Sequence, residues 1–444
     1  MTELGENSQT AEKSPIFDFD FEDMGWELVR NIGLFEERNQ KAHSNEKPLR
    51  VSISEGVTQY NDDDDELKRT AIDKSNYKLV LPGDLVYNKM RMWQGAFGIA
   101  QDRGIVSSAY VVMEPKDVDT RYLQYLYNSD LYITEFGRRS YGLVDDQNSL
   151  RSRDFFDIWT PIPPEDYKDN IVRYLDYKTS RIDDLINNKK EMINKLSEKR
   201  QSVLWQAVTG SIWQEGEYKT VDVDWLEKIP VNWGFSPLKY HVEISGGKTP
   251  NKSESEYWDG TIPWFTAKDM GNDILEESEK MITEYALNKS SINSYPRNTV
   301  IVVVRGMILD KQFPVGRTVS EATINQDMKA LEPITGITPQ YLQKLLQGLS
   351  PRILSVVEES AHGTKRLETD ELKNLRIPIP STSEQEKLCK RLSDITTNID
   401  ELKVDVRDSI RKLEEYRQEL INSAVTGKID LSDWQPPDKQ EVSQ

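Results

Sequence analysis

Ala207-Val208-Thr209-Gly210 and, 217 residues later, Ala424-Val425-Thr426-Gly427 close two stretches that align without a gap from Asp157–Ile212 onto Asn374–Ile429. At the same offset Pro161-Ile162-Pro163 falls on Pro378-Ile379-Pro380, and Ile182-Asp183 with Leu185 on Ile399-Asp400 with Leu402. Farther upstream the match loosens but keeps its order, with Glu114-Pro115 against Glu332-Pro333 and Tyr122-Leu123-Gln124 against Tyr341-Leu342-Gln343. The chain is a tandem duplication, each copy a divergent globular part followed by a long helix. In the second copy Leu388, Leu392, Ile395, Ile399, Leu402, Val406, Ser409, Leu413, Tyr416, Leu420 and Ser423 step by fours and threes, a heptad seam. The first copy gives Ile171, Leu175, Lys178, Ile182, Leu185, Lys189, Met192, Leu196, Lys199, Val203 and Gln206, with Lys178, Lys189 and Ser409 as polar interruptions. Prolines bar extension upstream, and Gly210 and Gly427 are stop signals. Each helix should run about 44 residues, on the order of 65 Å. Two readings follow: the copies pair with each other as an intramolecular antiparallel coiled coil with a domain at each end, or the helix dimerises chains.

The 444 residues suffice for two or three domains, and 37% hydrophobic with 30% charged residues describes a soluble chain that folds. No run approaches the roughly 18 apolar residues of a membrane span, and the acidic start resembles neither a signal nor a transit peptide. The lone Cys389 excludes an internal disulfide and fits a reducing, cytoplasmic setting; with His43, His241 and His362 scattered, it leaves no zinc site. A net charge of −18 argues against nucleic acid until it is located. Residues 1–66 hold 17 acids and 6 bases, including Asp62-Asp63-Asp64-Asp65-Glu66, so most of the excess is N-terminal.

In the divergent parts, Lys78–Val80, Leu85–Tyr87, Ala109–Met113 and Val300–Val304 read as strands, and Asp119–Asn128 and Pro339–Leu349 as helices. Catalytic signatures are missing. Gly246-Gly247-Lys248-Thr249 suggests a phosphate loop, but Val242 stands where that pattern needs glycine. No dinucleotide turn, no target-base motif of amino-methyltransferases and no nucleophile–histidine spacing is present; Glu217-Tyr218-Lys219 lacks an upstream acid. What recurs is basic and polar residues in glycine-containing turns. These are Asn88 to Gly95 with Lys89, Arg91, Trp93 and Gln94; Ser245 to Lys252 with Gly246, Gly247, Lys248, Thr249 and Lys252; and Arg305 through Lys311 to Arg317. Two further loops, Arg138-Arg139-Ser140-Tyr141-Gly142 and His362-Gly363-Thr364-Lys365-Arg366, precede the long helices. Such side chains bond phosphates and base edges, and glycines admit a close backbone. Each charge alone reads as a solvated surface group; the recurrence once per copy favours DNA. Trp93 and Trp264 read first as core or loop-anchoring aromatics, with base stacking the alternative.

Ile244-Ser245-Gly246-Gly247-Lys248-Thr249-Pro250, Glu256 to Trp264, Ala322-Thr323-Ile324-Asn325-Gln326-Asp327 and Leu331-Glu332-Pro333 resemble a target-recognition domain of the specificity subunit of Type I restriction-modification enzymes. Leu81 to Val86, Lys89 to Ala96 and Gly104 to Tyr110 resemble it in the first copy, and the Pro-Ile-Pro and Ala-Val-Thr-Gly ends match the family's two conserved regions. The resemblance covers nearly the whole chain except the acidic start, where Trp26 to Asn39 only partly parallels Pro230-Val231-Asn232-Trp233.

The fold expected is α+β, two mixed α/β target-recognition domains joined by two long antiparallel coiled-coil helices in a pseudo-two-fold tandem repeat. The expected parts are an acidic tail (1–24), recognition domain 1 (25–160), conserved helix 1 (161–212), recognition domain 2 (213–377), conserved helix 2 (378–430) and a C-terminal tail (431–444). The resemblance implies a bipartite asymmetric double-stranded DNA target, one half per recognition domain. It also implies two methylation subunits that carry S-adenosylmethionine, restriction subunits that use ATP and Mg2+, and no active site, cofactor or metal in this chain. Lys268, Asn325 and Gln326 join the DNA-binding candidates on this ground. The competing readings are an enzyme with its own methyltransferase or nuclease activity, and a coiled-coil adaptor that never touches DNA.

Overall fold

The computed structural model describes residues 24–41, 46–60, 76–142, 148–211, 216–359 and 363–437. The acidic segment 1–23, the run Asp62 to Glu66, His43 and His362 lie outside the described residues. The chain divides into two compact units, Met1–Asn188 with Asp408–Gln444, and Lys189–Arg407. The helices that organise them are α1 (Thr120–Tyr127), α2 (Asp130–Arg139), α3 (Glu165–Val208), α4 (Pro339–Gly348) and α5 (Thr382–Val425). Helices α3 and α5 are each 44 residues long and sit at the repeat offset. Each contributes one half to each unit.

In the first unit, strands Phe35–Glu37, Tyr110–Pro115, Leu85–Asn88 and Phe97–Ile99 lie side by side in an antiparallel sheet. Its core is aromatic: the Tyr127 ring lies 5.1–6.5 Å from those of Phe35, Phe97, Tyr132, Phe136 and Phe155. A buried hydroxyl must find a partner, and Tyr127 donates to Asn31 Oδ1 at 2.9 Å. Burial raises the Tyr127 pKa well above that of a free phenol. In the second unit the sheet order is Val242–Gly246, Met328–Pro333, Val300–Val303, Val315–Thr318, Ile274–Leu275, with the last pair parallel. The apolar run from Val300 supplies the buried central strand, as its lack of alternation predicts.

The duplication survives in contacts. Glu27–Arg30 pairs with Trp159–Ile162, and Gly234–Pro237 with Arg376–Ile379, in the same register. Tyr122 and Tyr341 donate to the carbonyls of Pro161 and Pro378, both at 3.1 Å. Trp26 and Trp233, the residues before those first strands, are both buried, so the two starts correspond more closely than the sequence suggests. Gly210 and Gly427 have φ of +78° and +71°, the left-handed conformation that ends a helix. A Cβ at Gly210 would also meet the Pro230 ring at 2.4 Å.

Within each unit the halves of α3 and α5 pack antiparallel. In the first, Asn170 reaches the Leu431 carbonyl at 3.0 Å and Asp183 pairs with Arg417 at 3.0 Å. In the second, Asp400 pairs with Arg200 at 3.1 Å, the same pair carried through the repeat. The seam is therefore intramolecular. Its phase corrects the heptad reading at four positions along the helices. Leu185, Met192, Leu402 and Tyr416 are exposed, whereas Thr179, Ile186 and Ala207 of α3 and Thr396 and Ala424 of α5 are buried. Ile171, Leu175, Ile182, Val203, Leu388, Leu392, Ile399, Val406 and Leu420 are buried as expected. The polar interruptions Lys178, Lys189 and Ser409 are half-buried. Thr179 turns its hydroxyl to the Leu175 carbonyl at 2.7 Å, so a polar seam position is satisfied within its own helix.

Asp273 is a second fastening point in the second unit. Its carboxylate accepts from Arg200 (2.9 Å), Lys344 (2.9 Å) and Gln347 (2.8 Å), tying the edge strand to α4 and to α3. Burial by itself would raise the pKa of Asp273, but Lys344 and Arg200 outweigh it and hold the group below its ordinary value.

Two measurements test this packing. Ile186→Ala should cost about 2–5 kcal/mol in urea denaturation and Leu185→Ala no more than about 0.5, the reverse of what the heptad reading gives. Because the Asp273 pKa is depressed, its contribution is fully present above the unfolded value of about 3.9 and fades as pH falls through the folded one. Melting curves of wild type and Asp273→Asn should thus differ at neutral pH and converge in acid.

Candidate nucleic-acid interface

In the second unit the structure joins segments far apart in sequence into one ridge. Leaving the strand Val242–Gly246, the chain lays Gly247 against the carbonyls of Ile324 and Asn325, where a Cβ would stand 2.0 and 2.3 Å away. The close approach that requires glycine is thus to this chain's own backbone. Lys248 N–H donates to Ile324 O at 3.0 Å, Tyr295 to Gly246 O at 2.8 Å, and the buried Trp264 to Lys248 O at 3.0 Å. Trp264 is a loop anchor. The Thr249 hydroxyl donates to Gln326, and Lys248 Nζ to Ser291 at 2.8 Å.

The turn at Asn325–Asp327 continues the ridge. Asn325 is buried and accepts from Asp327 N–H at 3.1 Å, so its amide shapes the turn and Gln326 takes the outside. Asp327 O accepts from the Val304 and Arg305 amides at 2.8 and 3.2 Å, and Gly306 N–H donates to Lys365 O at 3.0 Å. Loops at 246–252, 305–311, 325–327 and 365–366 therefore form one surface, with Lys268 beside it in the turn Ala267–Asp269. Lys252, Lys268, Arg305 and Lys311 are exposed on it without an ion pair among the described residues. Lys365 and Arg366 differ, bound to Glu359 at 2.9 Å and Glu368 at 2.9 Å. Arg317 does not join. It lies in the strand Val315–Thr318, not in a turn, with Nη1 on Asn298 at 2.5 Å, and burial lowers its pKa.

In the first unit Trp93 donates to Met90 O at 2.9 Å and Gly95, at φ +89°, closes the turn, which leaves Arg91 and Gln94 exposed. Trp93 is an anchor here too. Lys89 Nζ donates to Ser108 O at 3.1 Å; burial first, then Lys78, lowers its pKa. Arg138 and Arg139 are corrected from loop to helix: they end α2, and both clasp the buried Glu135, at 2.7 and 2.8 Å. The sequence reading missed Arg151 and Arg153. They follow the buried Leu150, whose N–H donates to Lys89 O at 2.9 Å, and this brings them beside the Lys89 turn. Their alternation around Ser152, directly after a leucine, was the available signal. In the second unit Leu367 N–H donates to Val304 O at the same 2.9 Å, so one backbone bond seats the equivalent loop in both copies.

Among the described residues no group of three or more His, Cys, Asp or Glu side chains could hold a metal ion, and no helix is long and apolar enough to cross a membrane.

The family model for the Type I restriction modification DNA specificity domain matches residues 230–411. The chain is 34% identical over 174 residues to the Type I restriction enzyme EcoR124I/EcoR124II specificity subunit of Escherichia coli, covering 39% of this chain and 42% of that one. It is 30% identical over 187 residues to the Type I restriction enzyme MjaIX specificity subunit of Methanocaldococcus jannaschii, covering 40% of each. The matched segments thus span about two fifths of these relatives' own length. A chain from a solved structure on complex assembly and conformational transition of the type I R-M system shares the fold, with a TM-score of 0.67 at 17% identity. That match covers 91% of this chain and 98% of the other. Residues 230–411 thus match the Type I restriction modification DNA specificity domain, and the fold is shared nearly end to end with the chain of that solved structure.

Proposed function

We propose that this chain is the non-catalytic DNA-recognition and scaffold subunit of a Type I restriction-modification complex. Each recognition domain reads one half of a bipartite asymmetric target, and the paired helices set the spacing. The observation that carries this reading is the loop surface built twice on one scaffold, seated by Leu150 on Lys89 and by Leu367 on Val304. Strands and helices hold that frame constant while the loops differ in side chains, as two different half-sites require. The partners are double-stranded DNA, two methylation subunits bearing S-adenosylmethionine, and restriction subunits using ATP and Mg2+.

A methylome of cells with and without this chain should show a two-part adenine-methylated sequence that disappears on deletion. Methylation by the purified chain alone would instead establish it as an enzyme. Arg91→Ala, exposed in the first unit's turn, should relax or weaken one half of the target by about 1–3 kcal/mol if it meets a base edge, leaving the other half unchanged. Methylation of half-site variants by the assembled complex reads this out.

A further inference from the structure

We propose that Tyr141, Arg151 and Arg153 form a preorganised phosphodiester clamp beside the first recognition surface, which the second unit has neutralised; the inference rests on the DNA-recognition reading above. The Arg151 guanidinium lies 4.7 Å from the centre of the Tyr141 ring, and Arg153 Nη2 donates to the Tyr141 hydroxyl at 2.9 Å. Two guanidinium groups thus share one phenol, which is held in place by paired backbone bonds between Tyr141 and Ser149 at 3.4 and 3.2 Å. The carboxylate in reach is Asp154, 3.5 Å from Arg153; Arg151 has no ion pair among the described residues. Both arginines are exposed. Like charges kept this close by a common ring leave unspent donors facing solvent, a geometry that suits the oxygens of a phosphodiester.

The repeat supplies the control. At the corresponding positions, 217 residues on, stand Glu358, Glu368 and Asp370 in place of Tyr141, Arg151 and Arg153. There the hairpin pairs Glu358 with Arg366, and Arg366 binds Glu368 at 2.9 Å. The same hairpin therefore presents two arginines with a single nearby carboxylate in the first copy and a self-neutralised set in the second. Being a contact to phosphate, the clamp adds affinity and register without base preference.

The test uses the full chain assembled with its methylation subunits and measures the salt dependence of duplex DNA binding, on target and on random sequence. Each phosphate neutralised contributes a log–log slope of about 0.9, so Arg151→Ala with Arg153→Ala, which removes the clamp on one phosphodiester, should flatten the slope by about 0.9 on both duplexes. Arg153→Ala alone should flatten it by less than the double variant, and the paired Arg→Lys exchange should keep most of the slope. The discrimination between target and random DNA should not change. An unchanged slope, or a change in base preference without a change in slope, would overturn the clamp while leaving the recognition reading intact. If the wild-type assembly bound no DNA, both would fall.

Discussion

The structure depends on the requirement that two 44-residue helices bury a narrow stripe along their length. An isolated helix with such a stripe is not stable against solvent, and each finds a surface of the same length and pattern in the other copy of the repeat. Antiparallel pairing brings the start of α3 against the end of α5 in one unit and the reverse in the other. That is why Asp183–Arg417 and Arg200–Asp400 recur as one interaction. Partly exposed ion pairs of this kind contribute little energy. Their value is in register, since a slip of one residue would separate both carboxylates from their guanidiniums.

Around this frame the two copies keep backbone contacts and change charges. The tyrosine bonds to Pro161 and Pro378, the paired first and last strands and the leucine amide bonds are common to both. The cores differ, one built on a cluster of aromatic rings around Tyr127 and the other on the aliphatic strand at Val300–Val303. So do the loops. Lys252, Lys268, Arg305 and Lys311 are open on the second surface, and Arg91, Arg151 and Arg153 on the first. A net charge of −18 is compatible with this because these exposed cations sit on loops, and most of the acidic excess lies in residues 1–66.

Much of the fold could be read directly. Repeat offset, helix ends and the αL glycines were legible because prolines and glycines act through local backbone geometry, which needs no partner. The seam phase was not. Heptads stepping three–four and four–three share alternate positions, and Leu185 and Leu402 make the wrong set look apolar. Thr179, Thr396, Arg200 and Arg417 belong to the seam because their polar atoms are satisfied by a helix carbonyl or by an aspartate on the facing helix. The site was legible as residue types in loops. Which charges stay free was not, because reading Arg138 and Arg139 as a loop hid the helix turn that sets Glu135 beside them, local acids also hold Lys365 and Arg366, and Arg317 turns inward from a strand.

The sequence by itself determined the duplication, the two long helices and their ends, the strands around Val86 and Val302, and the loops that bear basic residues. These follow from periodicity, proline and glycine, which act over a few residues. Tertiary structure alone decided which face of each helix is buried, that the glycine at 247 serves an internal contact, and that Arg151 and Arg153 gather on one tyrosine. Those outcomes turn on which side chains meet across long separations, and burial and charge pairing exist only once they have met.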